Sequence, residues 1–173
     1  MKTSFSNTLS LWVLPGLISG AVFLAIALLA GALTTTVWAM PDAIAQALGI
    51  AAPADYGFAL VPVLVGVTVH LTFSIGLAAI FTACVRRLRL HGWTLVVAGF
   101  ILVNIETPVA LWVVLHSVLS ATTFHFLLAA IPFWGSALGR YTYGLLLGLL
   151  LALHPSTAAY KSQQPTVSLG TRE

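Results

Sequence analysis

The chain has 173 residues, of which 60% are hydrophobic and only 6% charged, and its mean hydropathy is +1.04. A water-soluble domain carries about 25% charged residues, so these figures exclude an ordinary soluble fold and make lipid the main solvent. The net charge of +3 comes from basic residues that form no wide face, which argues against nucleic acid as a partner. The length suits one domain.

Crossing the roughly 30 Å of hydrocarbon in a bilayer takes about 20 helical residues. Four apolar stretches are that long, and none alternates as a barrel strand would. The expected fold is therefore all-α, a bundle of four transmembrane helices over residues 1–153 followed by a polar tail over 154–173. The first span covers about residues 9–38. Val37-Trp38-Ala39 has the look of a cleavage site, but the apolar run is far longer than a signal-peptide core, so it reads as a retained span. Gly16 and Gly20 within it form a small-xxx-small pair suited to close helix packing.

Residues 40–56 make the one sizeable loop. Pro41 at a first helical position, Asp42 in the first turn and Gly49 as a stop predict a short helix lying along the surface. The second span covers about residues 57–85, with Gly66, His70 and Ser74 spaced by four. Cys84 reads as a small apolar filler, and Arg86, Arg87 and Arg89 follow it. The third span, about residues 93–115, holds Asn104, Glu106 and Pro108. The fourth, about residues 126–153, holds Gly135, Gly139, Arg140, Gly144 and Gly148. The tail is polar, with Pro155 and Pro165, and has no apolar period of its own.

Lys and Arg gather on the cytoplasmic side of bilayers. Lys2, the three arginines after the second span, Lys161 and Arg172 all fall on one side, while the other connections carry no basic residue. Both termini are therefore expected in the cytoplasm. Trp12 and Trp93 then lie near the inner interface, and Trp38, Trp112 and Trp134 near the outer one.

At an offset of seventy residues the second and fourth spans look alike: Pro62 with Pro132, His70-Leu71-Thr72-Phe73 with Arg140-Tyr141-Thr142-Tyr143, and Leu77 with Leu147. This raises a duplicated helical hairpin about an axis along the membrane normal. The ending Tyr143-Gly144-Leu145-Leu146-Leu147-Gly148 resembles the last helix of small, uncharacterised four-helix bacterial inner-membrane proteins. That resemblance implies a multi-pass place in the cytoplasmic (inner) membrane and no particular activity.

An ionisable group inside a span is costly and marks a candidate site. Counting about 1.5 Å per residue from the inner end of each span, Glu106, Arg140 and His70 all fall roughly 20–23 Å deep. Short connections make spans two and three, and three and four, expected neighbours. A Glu106–Arg140 ion pair with His70 nearby follows. Asn104 joins the layer because Pro108 has no N–H to offer the Asn104 carbonyl. This layer serves either to fix helix register or as a proton or substrate site.

His116 and His125 flank the third connection and, with Met40, Asp42 or Asp55, are weak candidates for an outer metal site. Haem would need two histidines at one depth, and His70 has no such partner, so neither haem nor copper is expected. There is no phosphate loop, nucleophile elbow, zincin motif or cysteine pair, and no enzyme is expected. Small size, minimal loops and packing glycines favour a non-enzymatic subunit or scaffold of a larger membrane complex, partnered by lipid and by other membrane subunits or further copies of itself. The alternatives are a small oligomeric transporter or proton-linked channel using the Glu/Arg/His layer, or a haem- or copper-binding redox subunit. A reporter fused after Glu173 is expected to report a cytoplasmic position; signal from the opposite side in a topology assay would reverse the orientation.

Overall fold

Hydrocarbon offers no partner to backbone N–H and C=O groups, so long apolar runs must satisfy them internally as helix. The computed structural model describes residues 12–117 and 132–153, and all regular structure among them is helical. The described elements are α1 (Val13–Thr34), α2 (Ala39–Ala47), α3 (Leu60–Leu88), α4 (Trp93–Ser117) and α5 (Phe133–Leu153). Three of them, α1, α3 and α5, are long and apolar enough to cross a membrane, and α4 is apolar over Trp93–Glu106. The expected start of the last span, residues 126–131, and the tail lie outside the described residues, as does His125.

The helix ends have local causes. α1 stops at Thr34, short of the expected 38, in a run of three threonines. Thr34 and Thr35 turn their hydroxyls back onto the Ala30 and Gly31 carbonyls, and Thr36 donates instead to the Tyr56 carbonyl at 2.7 Å. α2 carries Pro41 at its third position rather than its first. It closes with a left-handed Gly49 (φ 77°), the Gly49 and Ile50 N–H groups reaching back to Gln46 and Ala45. This is the paired C-terminal bonding that glycine permits. α3 runs on to Leu88, past the expected 85, because Arg86 and Arg87 in its last turn suit the negative end of the helix dipole.

Packing order departs from chain order. α1 lies against both α3 and α5, α5 also lies against α4, and α2 rests on α3. α3 and α4 meet at few points although only a short turn joins them, which corrects the expectation that spans two and three are neighbours. The turn splays them: Arg89 and Gly92 both adopt positive φ, 56° and 60°. The expected hairpin duplication also finds no support in the packing. A two-fold exchange would make the α1–α5 and α3–α4 contacts equivalent, yet the first is extensive and the second slight.

Glycine determines which helices meet. A Cβ added at Gly16 or Gly20 would run into Ser74 and Ala78 on α3, and one at Gly139 would strike the Phe23 ring of α1. Between α4 and α5 the approach is backbone to backbone. Gly99 faces Gly144, and Gly148 faces Leu95 and Val96. Lipid supplies no hydrophobic drive between helices, so such close approach is a main source of association. Phe81, Val85, Leu95, Val103, Tyr143, Leu147 and Leu151 fill the space between α3, α4 and α5.

Gly144→Ala places a methyl against the Gly99 carbonyl and the Val103 side chain. It should cost about 1–3 kcal/mol by forcing α4 and α5 apart. Gly76→Ala opens onto free space and should leave stability unchanged or slightly raised. Thermal unfolding of both variants in one detergent measures the contrast.

Candidate functional site: a buried polar seam

Glycine on α1 and a four-residue spacing on α3 create the seam. Gly20 presents only backbone, so the His70 and Ser74 side of α3 comes close to it. The His70 ring nitrogen Nε2 lies 3.0 Å from the Gly20 carbonyl. A carbonyl only accepts, so Nε2 carries the proton and donates. The edge-on ring of Phe23 holds the imidazole from one side, centroid to centroid 5.0 Å at 85°. One turn along, Ser74 Oγ donates to the His70 carbonyl at 2.9 Å. The Tyr143 hydroxyl of α5 donates to the Ser74 carbonyl at 2.7 Å. His70 and Tyr143 therefore tie three helices together through hydrogen bonds that end on backbone carbonyls.

The α4–α5 pair carries the charged residues. Leu95 opposite Gly148 and Gly99 opposite Gly144 fix an antiparallel register. Continued one turn, it sets Arg140 opposite Val103, with Glu106 less than a turn beyond. The two expected partners thus share a level on two tightly packed helices, and each is engaged in interactions. Glu106 also lies within electrostatic range of the Tyr143 hydroxyl.

The other expected members of the layer separate from this pair. His70 bonds to α1. Asn104 sits on the exposed face of α4 and donates through Nδ2 to the Phe100 carbonyl of its own helix at 2.7 Å. Adjacent positions on a helix point about 100° apart, so Asn104 and Glu106 diverge despite their shared depth. Among the packing glycines, Gly16, Gly20, Gly139, Gly144 and Gly148 all make close approaches, and Gly135 is buried.

Tyr143, Phe23 and Gly99 are contributors that the sequence does not single out, and Asp42 is singled out there only as a first-turn residue and a weak metal-site candidate. Tyr143 was legible, since Gly135, Gly139, Tyr143, Leu147 and Leu151 recur every four residues along the buried face of α5. Gly99 has no small residue four positions away to mark it. Among the described residues no group of three or more His, Cys, Asp or Glu is placed to hold a metal ion. The His116 side chain and His125 lie outside the described residues, and Cys84 is exposed. No protein-family model matches the chain, and neither the curated proteins nor the solved structures include a match to it.

Asp42 is the second polar feature. It is 0% exposed on α2, and among the described residues neither carboxylate oxygen has a hydrogen-bond partner. Burial, reinforced by the nearby Asp55 carboxylate, pushes its carboxyl above the ordinary value of 3.8. The folded form therefore holds the proton more tightly than the unfolded chain does. The stability this contributes is fully present below pH about 3.8 and is lost as pH rises through the elevated value. Exchange of the α2 amides in detergent should accelerate as pH rises through that window, beyond the intrinsic rate. Asp42→Asn should remove this excess, and an equal excess in both proteins would show that Asp42 does not titrate as described.

Proposed function

We propose that the chain is a four-span integral membrane protein of the bacterial inner membrane, with both termini cytoplasmic, that serves as a non-enzymatic structural subunit of a membrane assembly. The observation that carries this reading is the way the interior polar groups end. The His70 imidazole and the Tyr143 hydroxyl each terminate on a main-chain carbonyl of a neighbouring helix. A donor spent on a backbone carbonyl braces helices and passes no proton onward. Hydroxyls at Ser74 and Thr82 turn back onto carbonyls of their own helix. The seam therefore reads as bracing inside a rigid bundle.

Glu106 and Arg140 fit the same role. A charge at mid-bilayer costs at least about 2.5–3.5 kcal/mol on insertion scales, and arginine keeps its charge. Their common level on α4 and α5 favours an ion pair that fixes the register the glycines set. The apolar length of α1, α3 and α5 supports three of the spans, and the 25 residues of α4, apolar over Trp93–Glu106, support reading it as the fourth. The positions of the basic residues support the orientation.

The subunit role predicts that, after extraction in a mild detergent, native mass measurement finds the chain in a species of fixed composition heavier than the 18.3 kDa protomer. A solitary protomer under all mild conditions would contradict it. A transport reading has one observation in its favour, that Glu106 lies within electrostatic range of the Tyr143 hydroxyl. It requires Glu106→Gln to abolish flux in liposomes while the protein still inserts.

A further inference from the structure

The outward stripe of α4 is not uniformly apolar. Val97, Phe100, Ile101, Asn104, Ile105 and Pro108 recur at helical spacing and all are exposed. Asn104 stands in the middle of this stripe, roughly 17 Å along the helix from Trp93, which is near mid-bilayer for a spanning helix. Its amide spends one N–H on the Phe100 carbonyl. The rest of the amide, one N–H and the Oδ1 acceptor, belongs to a residue on the exposed side of the helix. The Asn104 main-chain carbonyl is also short of its usual partner, because Pro108 four residues on has no N–H.

Lipid cannot satisfy these groups, and an unsatisfied polar group in hydrocarbon costs several kcal/mol. The surroundings suit a protein contact. Phe100 and the α5 residue Tyr141 stack at 5.3 Å with 22° between their planes, making a flat, half-exposed platform beside the amide. Among the described residues of this stripe none carries a charge, so it offers nothing to a charged partner.

The exposed groups complement themselves: an outward donor on one copy matches outward acceptors on another, and the reverse. A two-fold axis along the membrane normal brings the same residue of each copy to one depth, which an unrelated partner would have to match separately. Interhelical amide bonds of this kind hold membrane helices together. We propose that two copies of this chain dimerise through the outward stripe of α4, with Asn104 hydrogen-bonded to the partner's Asn104 at mid-membrane. The proposal rests on the membrane-subunit reading and names one of the partners in it.

The test uses the full-length protein in native membranes, with Cys84→Ser to remove the exposed native thiol. Asn104→Cys in that background should give a disulfide-linked species of twice the protomer mass on mild oxidation. Phe73→Cys, exposed on α3, should give none. In parallel, Asn104→Leu in the otherwise native chain should weaken the dimer about tenfold in native mass measurements, with Asn104→Gln retaining it. A heavier assembly that forms no such disulfide and is unmoved by Asn104→Leu would overturn this interface and leave the subunit role standing. An adduct of residue 104 with a different protein would overturn the second copy as occupant, again sparing the subunit role. A protomer alone in the membrane would overturn both.

Discussion

Inside a bilayer no water is available to complete a hydrogen bond, so every polar atom carried into the hydrocarbon must find its partner within protein. The arrangement of this chain follows from that demand, with the exception, among the described residues, of Ser19 Oγ on α1, which is enclosed without a hydrogen-bond partner. Helices satisfy the backbone. Hydroxyls at Thr34, Ser74 and Thr82 fold back onto the preceding turn. The longer donors, His70 and Tyr143, reach across to neighbouring helices. Those crossings are short because glycine removes the side chain that would stand between the backbones. Gly20 does this for His70, and the Gly99–Gly144 contact sets the depth at which α5 presents Tyr143. Packing and polar bonding are one device here.

The same demand separates interior from exterior. Glu106 and Arg140 share a level on the two helices whose glycines interlock, while Asn104, two positions before Glu106, falls on the face turned outward. An interior whose donors end on main-chain carbonyls is suited to holding a shape. An exterior with one amide set in an aromatic and aliphatic surface is suited to joining another helix. Both features are the ones on which the proposed subunit role rests. Asp42 contributes differently, at the end of the bundle away from the arginines. Its enclosed carboxyl, beside the Asp55 carboxylate, is pushed above the ordinary value, so burial on α2 favours its protonated form.

Much of this was legible in the residues. The helical class, the short helix closed at Gly49 and most packing glycines follow from apolar length and small-residue spacing. Of the two expected adjacencies, α4 against α5 is found and α3 against α4 is not, because Arg89 and Gly92 bend α3 away from α4 by a backbone conformation that sequence barely marks. Depth counting puts Glu106, Arg140 and His70 at one level and the Pro108 gap adds Asn104, but depth does not give azimuth. Two residues along a helix turn the side chain by about 200°, which is why Asn104 left the layer. Tyr143 sat in plain view on the four-residue stripe of α5, masked by the neighbouring glycines and arginine. Gly99 gave no signal, since its partner glycine lies on another helix.

Hydrogen bonds between helices, rather than those within them, hold the interior together. Equilibrium unfolding of Tyr143→Phe and Thr82→Val in bilayer mimetics compares the two kinds directly, since each removes one buried hydroxyl at nearly constant volume. Tyr143→Phe loses the bond from α5 to α3 and should lower stability by about 1 kcal/mol, while Thr82→Val, whose hydroxyl bonds within α3, should change it little. Equal stability of Tyr143→Phe and the unaltered protein, or a larger loss from Thr82→Val, would contradict the account.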